Sequence, residues 1–180
     1  MQPSQRLEEW LRTSRRSGQP TLYRTGDFRS LFPGTGAGTY RAIVHRAERR
    51  GLLERICQGI YQYTGAPDTS GYVLHHAAAM LRPQHFNYIS LETALSDAGV
   101  ISQIPIGWIT LVSTGRSATV DCGQYGTIEF VHTERSLDQI ADQLSYDSDC
   151  WLFRANTQLA MDDMRRFGRD STMDLVQSED

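Results

Sequence analysis

The stretch "TYRAIVHRAERRGLLERICQGIYQY", Thr39–Tyr63, decides how the first third of the chain folds. In its first half Tyr40, Val44 and Ala47, helped by Ile43, fall on one stripe at helical spacing. That pattern predicts an amphipathic helix over 38–51, with Gly51 as the natural residue just past its end. In its second half two short β-prone runs, "LLERIC" (52–57) and "IYQY" (60–63), flank Gln58-Gly59. Two such runs around a glycine turn predict a hairpin.

Working outward, "RLEEWLRTSRR" (6–16) places Leu7, Trp10 and Leu11 at i, i+3, i+4 and predicts a first helix. "TLY" (21–23) reads as a short extended piece, and "TGDFRSLFP" (25–33) repeats helical spacing with Phe28, Leu31 and Phe32 before Pro33 stops it. Helix, helix, glycine-terminated helix and hairpin is the order of a winged helix-turn-helix, which the quoted stretch resembles in its recognition helix and wing. In that fold the third helix enters the major groove and its N-terminal residues meet base edges. The expected DNA-binding residues are Thr35, Thr39, Arg41, His45, Arg46, Arg49 and Arg55. Arg41 is placed to fork onto a guanine, Arg46 and Arg49 suit phosphates, and Arg55 lies on the wing near its turn. A merely solvated basic helix face is the competing reading.

Charge separates the two parts of the chain. The 180 residues carry a net charge of −3, but residues 1–60 hold 11 arginines against 5 acids, a net of +6. Residues 61–180 hold 7 arginines against 16 acids, a net of −9. The basic part suits a polyanion and the acidic part does not. All 18 basic residues are arginine. Codon bias accounts for that, and so does the better fit of the arginine fork to phosphate and guanine. A chain without lysine has no P-loop lysine and no lysine Schiff base. "PGTGAGT" (33–39) is therefore a flexible turn before a helix, and its strictly alternating glycines also miss G-x-G-x-x-G.

"TGAPDTSG" (64–71) has linker composition. The expected organisation is a DNA-binding domain over 1–64, a linker over 65–71, a small mixed α/β domain over 72–170 and an acidic tail over 171–180 that frays. Within the second domain helices are expected at "YVLHHAAAMLRP" (72–83), "SLETALSDAG" (90–99), "SLDQIADQL" (136–144) and "ANTQLAMDDMRRFG" (155–168). Strands are expected at "WITLVS" (108–113), "ATV" (118–120) and "TIEFVH" (127–132). Ser90 is the expected N-cap of the second of these helices.

Chemistry finds little purchase. His75 and His76 diverge on a helix and cannot chelate together, and His85 and His132 have no ligand spacing. No serine sits in G-x-S-x-G, and Cys57, Cys122 and Cys150 lie far apart with no C-x-x-C. The pairs Asp147/Asp149 and Asp162/Asp163 read as solvated surface acids. The expectation is a non-enzyme without metal or cofactor. With no leader-like start and no apolar run near the ~18 residues of a span, it is expected in the cytoplasm.

The stretch "YISLETALSDAGVISQIPIGWITLVSTGRSATVDCGQYGTIEFVHT" (88–133) resembles the central region of the AbiEi family, the antitoxins of AbiE-type (type IV) toxin–antitoxin systems. The pieces that carry the likeness are "YISLETAL", a short loop with Pro105, "ITLVSTGRS" and "GTIEFVH". With the preceding winged helix it covers most of residues 20–133. After His132 the family often continues into a longer helical region, where this chain offers "ANTQLAMDDMRRFG" and an acidic tail. The resemblance implies an autorepressor that binds inverted repeats of double-stranded DNA in its own promoter. It further implies a second domain that neutralises a nucleotidyltransferase-like toxin without a stable complex. Arg116, in the loop "STGRS" (113–117), is the one candidate contact in that domain; the alternative is a loop turned by Gly115, with Arg116 paired to a local carboxylate. The other reading of the whole chain is an effector-responsive transcriptional repressor without a toxin.

Overall fold

The computed structural model describes residues 2–14, 22–102 and 106–172. The fold is mixed α+β with two separate sheets, and internal contacts divide the chain between Val73 and Leu74. No helix among the described residues is long and apolar enough to cross a membrane.

The first unit runs α1 (Pro3–Thr13), β1 (Leu22–Arg24), a 3-10 helix (Thr25–Leu31), α2 (Ala37–Arg49), β2 (Leu53–Cys57) and β3 (Ile60–Tyr63). Its sheet has the order β1-β3-β2, antiparallel throughout, with Tyr23 opposite Tyr61 and Arg55 also opposite Tyr61 across the central strand. The apolar stripes meet in one core. Leu7 and Leu11 of α1, Phe28 of the 3-10 helix, Tyr40, Val44 and Ala47 of α2, and Leu53 and Tyr63 of the hairpin are all buried in it. Each such side chain removed from water is worth roughly 1.5–3 kcal/mol, so the unit is held by side-chain burial from every element. α2 ends where expected, with Gly51 at φ 71°. The hairpin turns at Gln58-Gly59, where Gly59 has φ 83°. A register shift between Arg55 and Cys57 absorbs one residue just before that turn.

Three local expectations change in this unit. The helix at 25–33 is a 3-10 helix closed at Leu31, two residues before Pro33. α1 starts earlier than 6, at Pro3, whose fixed φ suits a first helical position. The basic end of that helix (15–16) lies outside the described residues, as does Thr21 of the extended piece. The linker composition of 64–71 also hides structure. Ala66 is buried in the core, and the Asp68 amide donates to the side chain of Gln62 at 3.2 Å.

The second unit is a six-stranded mixed sheet in the order β6-β7-β5-β4-β9-β8. Its strands are β4 (Asn87–Ile89), β5 (Trp108–Ser113), β6 (Ala118–Asp121), β7 (Thr127–His132), β8 (Leu144–Asp147) and β9 (Leu152–Ala155). The helices are α3 (Val73–Leu81), α4 (Leu91–Asp97) and α5 (Thr157–Arg166). Strand register puts Ile89, Leu111 and Phe130 on one face and Tyr88, Val112 and Val131 on the other. Of these, Ile89, Leu111, Phe130, Tyr88 and Val112 are at most 1% exposed, so the centre of the sheet is covered on both sides.

The expected helix at 136–144 is absent. Two single 3-10 turns, Leu137–Gln139 and Ala141–Gln143, take its place, and Leu144 already belongs to β8. The segment has one buried apolar anchor, Ile140, while Leu137 is 46% exposed, too little to hold an amphipathic helix. The residues 173–180 of the acidic tail and Pro105 lie outside the described residues.

Candidate nucleic-acid interface

α2 is positioned by its buried stripe. Tyr40, Ile43, Val44 and Ala47 face the core, which turns Thr39, Arg41, Ala42, His45, Arg46 and Arg49 outward, all of them exposed. At 100° per residue the line opposite the core is Gly38, Ala42, His45 and Arg49, with Arg41 on one flank and Thr39 and Arg46 on the other. Arg41, Arg46 and Arg49 make no ion pair or hydrogen bond through their side chains among the described residues. His45 Nδ1 lies 3.5 Å from Glu48 Oε2, one turn along the helix. A Cβ built on Gly36 or Gly38 meets nothing within 4 Å, so neither glycine is packed against another part of the described fold.

The start of the helix is braced from behind. The Tyr40 hydroxyl donates to the Thr25 carbonyl. The Thr25 amide donates to the Gly59 carbonyl at 2.9 Å, at the hairpin turn. One chain of hydrogen bonds therefore couples α2, the 3-10 helix and the tip of the hairpin. Arg29 adds a cation lateral to this brace. Its guanidinium lies 4.7 Å from the centre of the Tyr40 ring and donates to the Thr35 carbonyl at 2.5 Å.

The expected residues separate into groups. Thr39, Arg41, His45, Arg46 and Arg49 share the outward face of α2. Thr35 is half-buried in the turn before it and contributes its carbonyl to Arg29. Arg55 is exposed on β2, and its Nε donates to the Cys57 carbonyl at 3.4 Å, which bends the side chain along the hairpin. Arg50, equally basic in sequence, is turned the other way and donates to Ser4 Oγ of α1 at 2.8 Å. Arg29 was not legible as a member. The only sequence signal for it was the general basic character of the segment.

The second unit contributes polar clusters that the sequence did not suggest. Asp163, read as a surface acid, is 1% exposed. It accepts from Ser90 Oγ at 2.7 Å, Tyr88 Oη at 3.0 Å and Arg135 Nη1 at 3.0 Å. Burial pushes its carboxyl above the ordinary range, against three donors that favour the charged form. Ser90 sits at the N-cap of α4 but spends its hydroxyl on Asp163, so it makes no cap bond, and Leu91 follows with φ 54°. Glu129 is held below the ordinary range by hydrogen bonds from Arg169, which also grips Glu92. Asp147 accepts the amides of Asp149 and Cys150 and a guanidinium nitrogen of Arg154. Of the paired acids, Asp147 is thus a turn and ion-pair partner, and Asp162 and Asp163 each pair with an arginine. No group of three or more His, Cys, Asp or Glu side chains is placed to hold a metal among the described residues.

Arg116 is exposed and makes no ion pair among the described residues, so the alternative reading, in which it pairs with a local carboxylate, finds no partner among them. Its carbonyl accepts from Arg82 Nη1 at 2.5 Å. Gly115 is needed for close approach rather than for its φ. A Cβ there would stand 3.0 Å from the His85 ring and 3.1 Å from Arg82 Nη1.

Comparison with known families and with curated proteins gives no match for this chain.

Proposed function

We propose that the chain is a sequence-reading double-stranded DNA-binding protein, a winged helix-turn-helix repressor with α2 as recognition helix and β2–β3 as a short wing. The observation that carries this reading is the outward face of α2. Three arginines stand on it without side-chain partners among the described residues, while four apolar residues lock the opposite face into a core. Exposed cations that satisfy nothing within their own fold suit a polyanion. Gly38 and Ala42, on the outward line near the N-terminal end, let the helix backbone approach a groove floor. The wing is short, with a two-residue turn, so most of the reading falls to α2 in one major groove.

The resemblance of 88–133 to the AbiEi family supplies the biological setting. In it the protein binds inverted repeats in its own promoter, two copies per operator, and represses its operon. The second unit then neutralises a nucleotidyltransferase-like toxin without forming a stable complex. A promoter–reporter fusion in a heterologous host tests the first part. The intact chain should repress its own promoter, and the triple variant Arg41→Ala, Arg46→Ala, Arg49→Ala should not. Equal repression by both would remove α2 from the interface. Toxin rescue by that same triple variant is the expected sign that the second unit acts separately.

A further inference from the structure

The loop Ser113–Ser117 gathers positive charge in a unit that otherwise lacks it. Residues 74–180 hold 7 arginines against 15 acids. Four of those arginines are answered by carboxylates: Arg135 by Asp163, Arg154 by Asp97 and Asp147, Arg165 by Asp162, and Arg169 by Glu92 and Glu129. Arg82, Arg116 and Arg166 are not, among the described residues, although the unit holds about two acids for each arginine. The Arg82 guanidinium and the backbone of Arg116 meet at this loop.

The loop is built, not slack. Ser113 Oγ donates to Asn87 Oδ1 at 2.6 Å and accepts the Gly115 amide at 3.0 Å. The Thr114 amide donates to the Phe86 carbonyl at 3.0 Å, and His132 Nδ1 lies 2.9 Å from the Gly115 carbonyl. The Arg82 guanidinium carbon stands 3.9 Å from the centre of the Phe130 ring, and Nη1 donates to the Arg116 carbonyl at 2.5 Å and to Ser113 Oγ at 3.4 Å. That anchors the guanidinium without neutralising it. Burial is the one influence on its proton affinity, and it lowers it, with no carboxylate to oppose it. The His85 ring crowds the same side of Gly115 as Arg82 Nη1, 3.0 Å from where a Cβ would stand. Thr114, Arg116 and Ser117 are exposed, and the amides of Arg116 and Ser117 donate to no acceptor among the described residues. Arg82 Nη1 and His132 Nδ1 are spent on carbonyls of the loop, which leaves the exposed Arg116 side chain and the amides of Arg116 and Ser117 as donors without an acceptor among the described residues.

We propose that this loop, with Arg82, His85, Arg116 and His132, is a binding site for a phosphate oxyanion, carried by a free nucleotide or by a nucleic-acid backbone. The dianion would supply the missing countercharge, taking the fork of Arg116 and the loop amides, with Arg82 fixed beneath. The site belongs to the second unit, and the outward face of α2 to the first.

The test is an amide-resolved NMR titration of the full-length chain at ionic strength held constant with chloride. Inorganic phosphate is added first, then a nucleoside triphosphate, then a random-sequence DNA duplex. The duplex arm uses the variant lacking Arg41, Arg46 and Arg49. Saturable shifts of Thr114–Ser117 and of the His132 ring are expected with phosphate. Arg116→Gln, which keeps the carbonyl that Arg82 needs, should raise the phosphate midpoint about tenfold with unchanged melting temperature. Arg82→Lys keeps the charge and loses the fork, and should weaken binding as well. A nucleotide midpoint well below that of phosphate assigns the free nucleotide. A duplex midpoint below the nucleotide's assigns the backbone. No saturable shift with any of the three, or midpoints unaltered in both variants, overturns the site.

Discussion

Replacing Arg46 by alanine removes one cation from the outward face of α2 and touches nothing in the core. Its side chain is exposed and has no partner among the described residues, so the fold should lose no more than about 0.5 kcal/mol. Under the proposed function the effect falls on DNA binding, and its magnitude follows from counterion release. Arg46 and Arg49, with Arg55 of the hairpin taken as a third, are the phosphate contacts counted per copy. At about 0.9 counterions per phosphate, the salt slope is about −2.7 for one copy and about −5.4 for two on an inverted repeat. Arg46→Ala should reduce the two-copy slope to about −3.6. A doubling of salt would then weaken wild-type binding about 40-fold but the variant's only about 12-fold. Fluorescence anisotropy on an operator duplex at four or five salt concentrations measures both slopes. A slope that stays put while affinity falls would refute the reasoning, because the loss would then come from something other than a phosphate contact.

Arg41→Ala should weaken operator binding by about 1–3 kcal/mol and random-sequence binding by much less; equal losses on both DNAs would mean that Arg41 touches only backbone. Asp163→Ala leaves Ser90, Tyr88 and Arg135 without their shared acceptor, so urea denaturation should show the second unit destabilised by about 3–5 kcal/mol. Asp163→Asn, which keeps an oxygen, should cost less, and equal costs would show that the charge is immaterial. Glu129 is depressed in the fold, so the stability it contributes is complete above the unfolded carboxylate pKa and is lost as pH falls through its lower folded value. Acid titration should therefore erode wild-type stability below about pH 4.5, and Arg169→Met should flatten that part of the curve. A variant curve parallel to wild type would detach the Arg169–Glu129 contact from acid sensitivity.

Local pattern carried the first unit well. The stripe Tyr40–Val44–Ala47, the stop at Gly51 and the turn at Gln58-Gly59 all depend on neighbours within a few residues, which periodicity reads directly. What it misses there is non-local. The pairing of Leu22 with Gln62 joins residues 40 apart in the chain, and buried Gln62 looks like a polar break in a strand until Glu54 and Asp68 satisfy it. The second unit was harder because three of its strands are brief. β4 has three residues and β8 and β9 four each, too short for alternation to declare itself. Asp163 and Asp162 look alike in sequence. Only the helical phase of α5 decides that one is buried beneath Tyr88 while the other pairs with Arg165 at the surface. The candidate DNA face was legible because helix phase sorts its arginines, with Arg50 the exception. The gathering of His85, Arg82, Gly115 and His132 was not, since it joins the segment after α3 to two strand ends.

The most direct test of the central claim is a gel-shift titration of the chain against its own upstream DNA and a scrambled duplex of equal length, at two salt concentrations. Tighter binding to the upstream DNA that survives the higher salt is predicted, with the difference abolished by Arg41→Ala. Equal, salt-sensitive binding to both duplexes, or binding to neither, would contradict the assignment of α2 as a sequence reader.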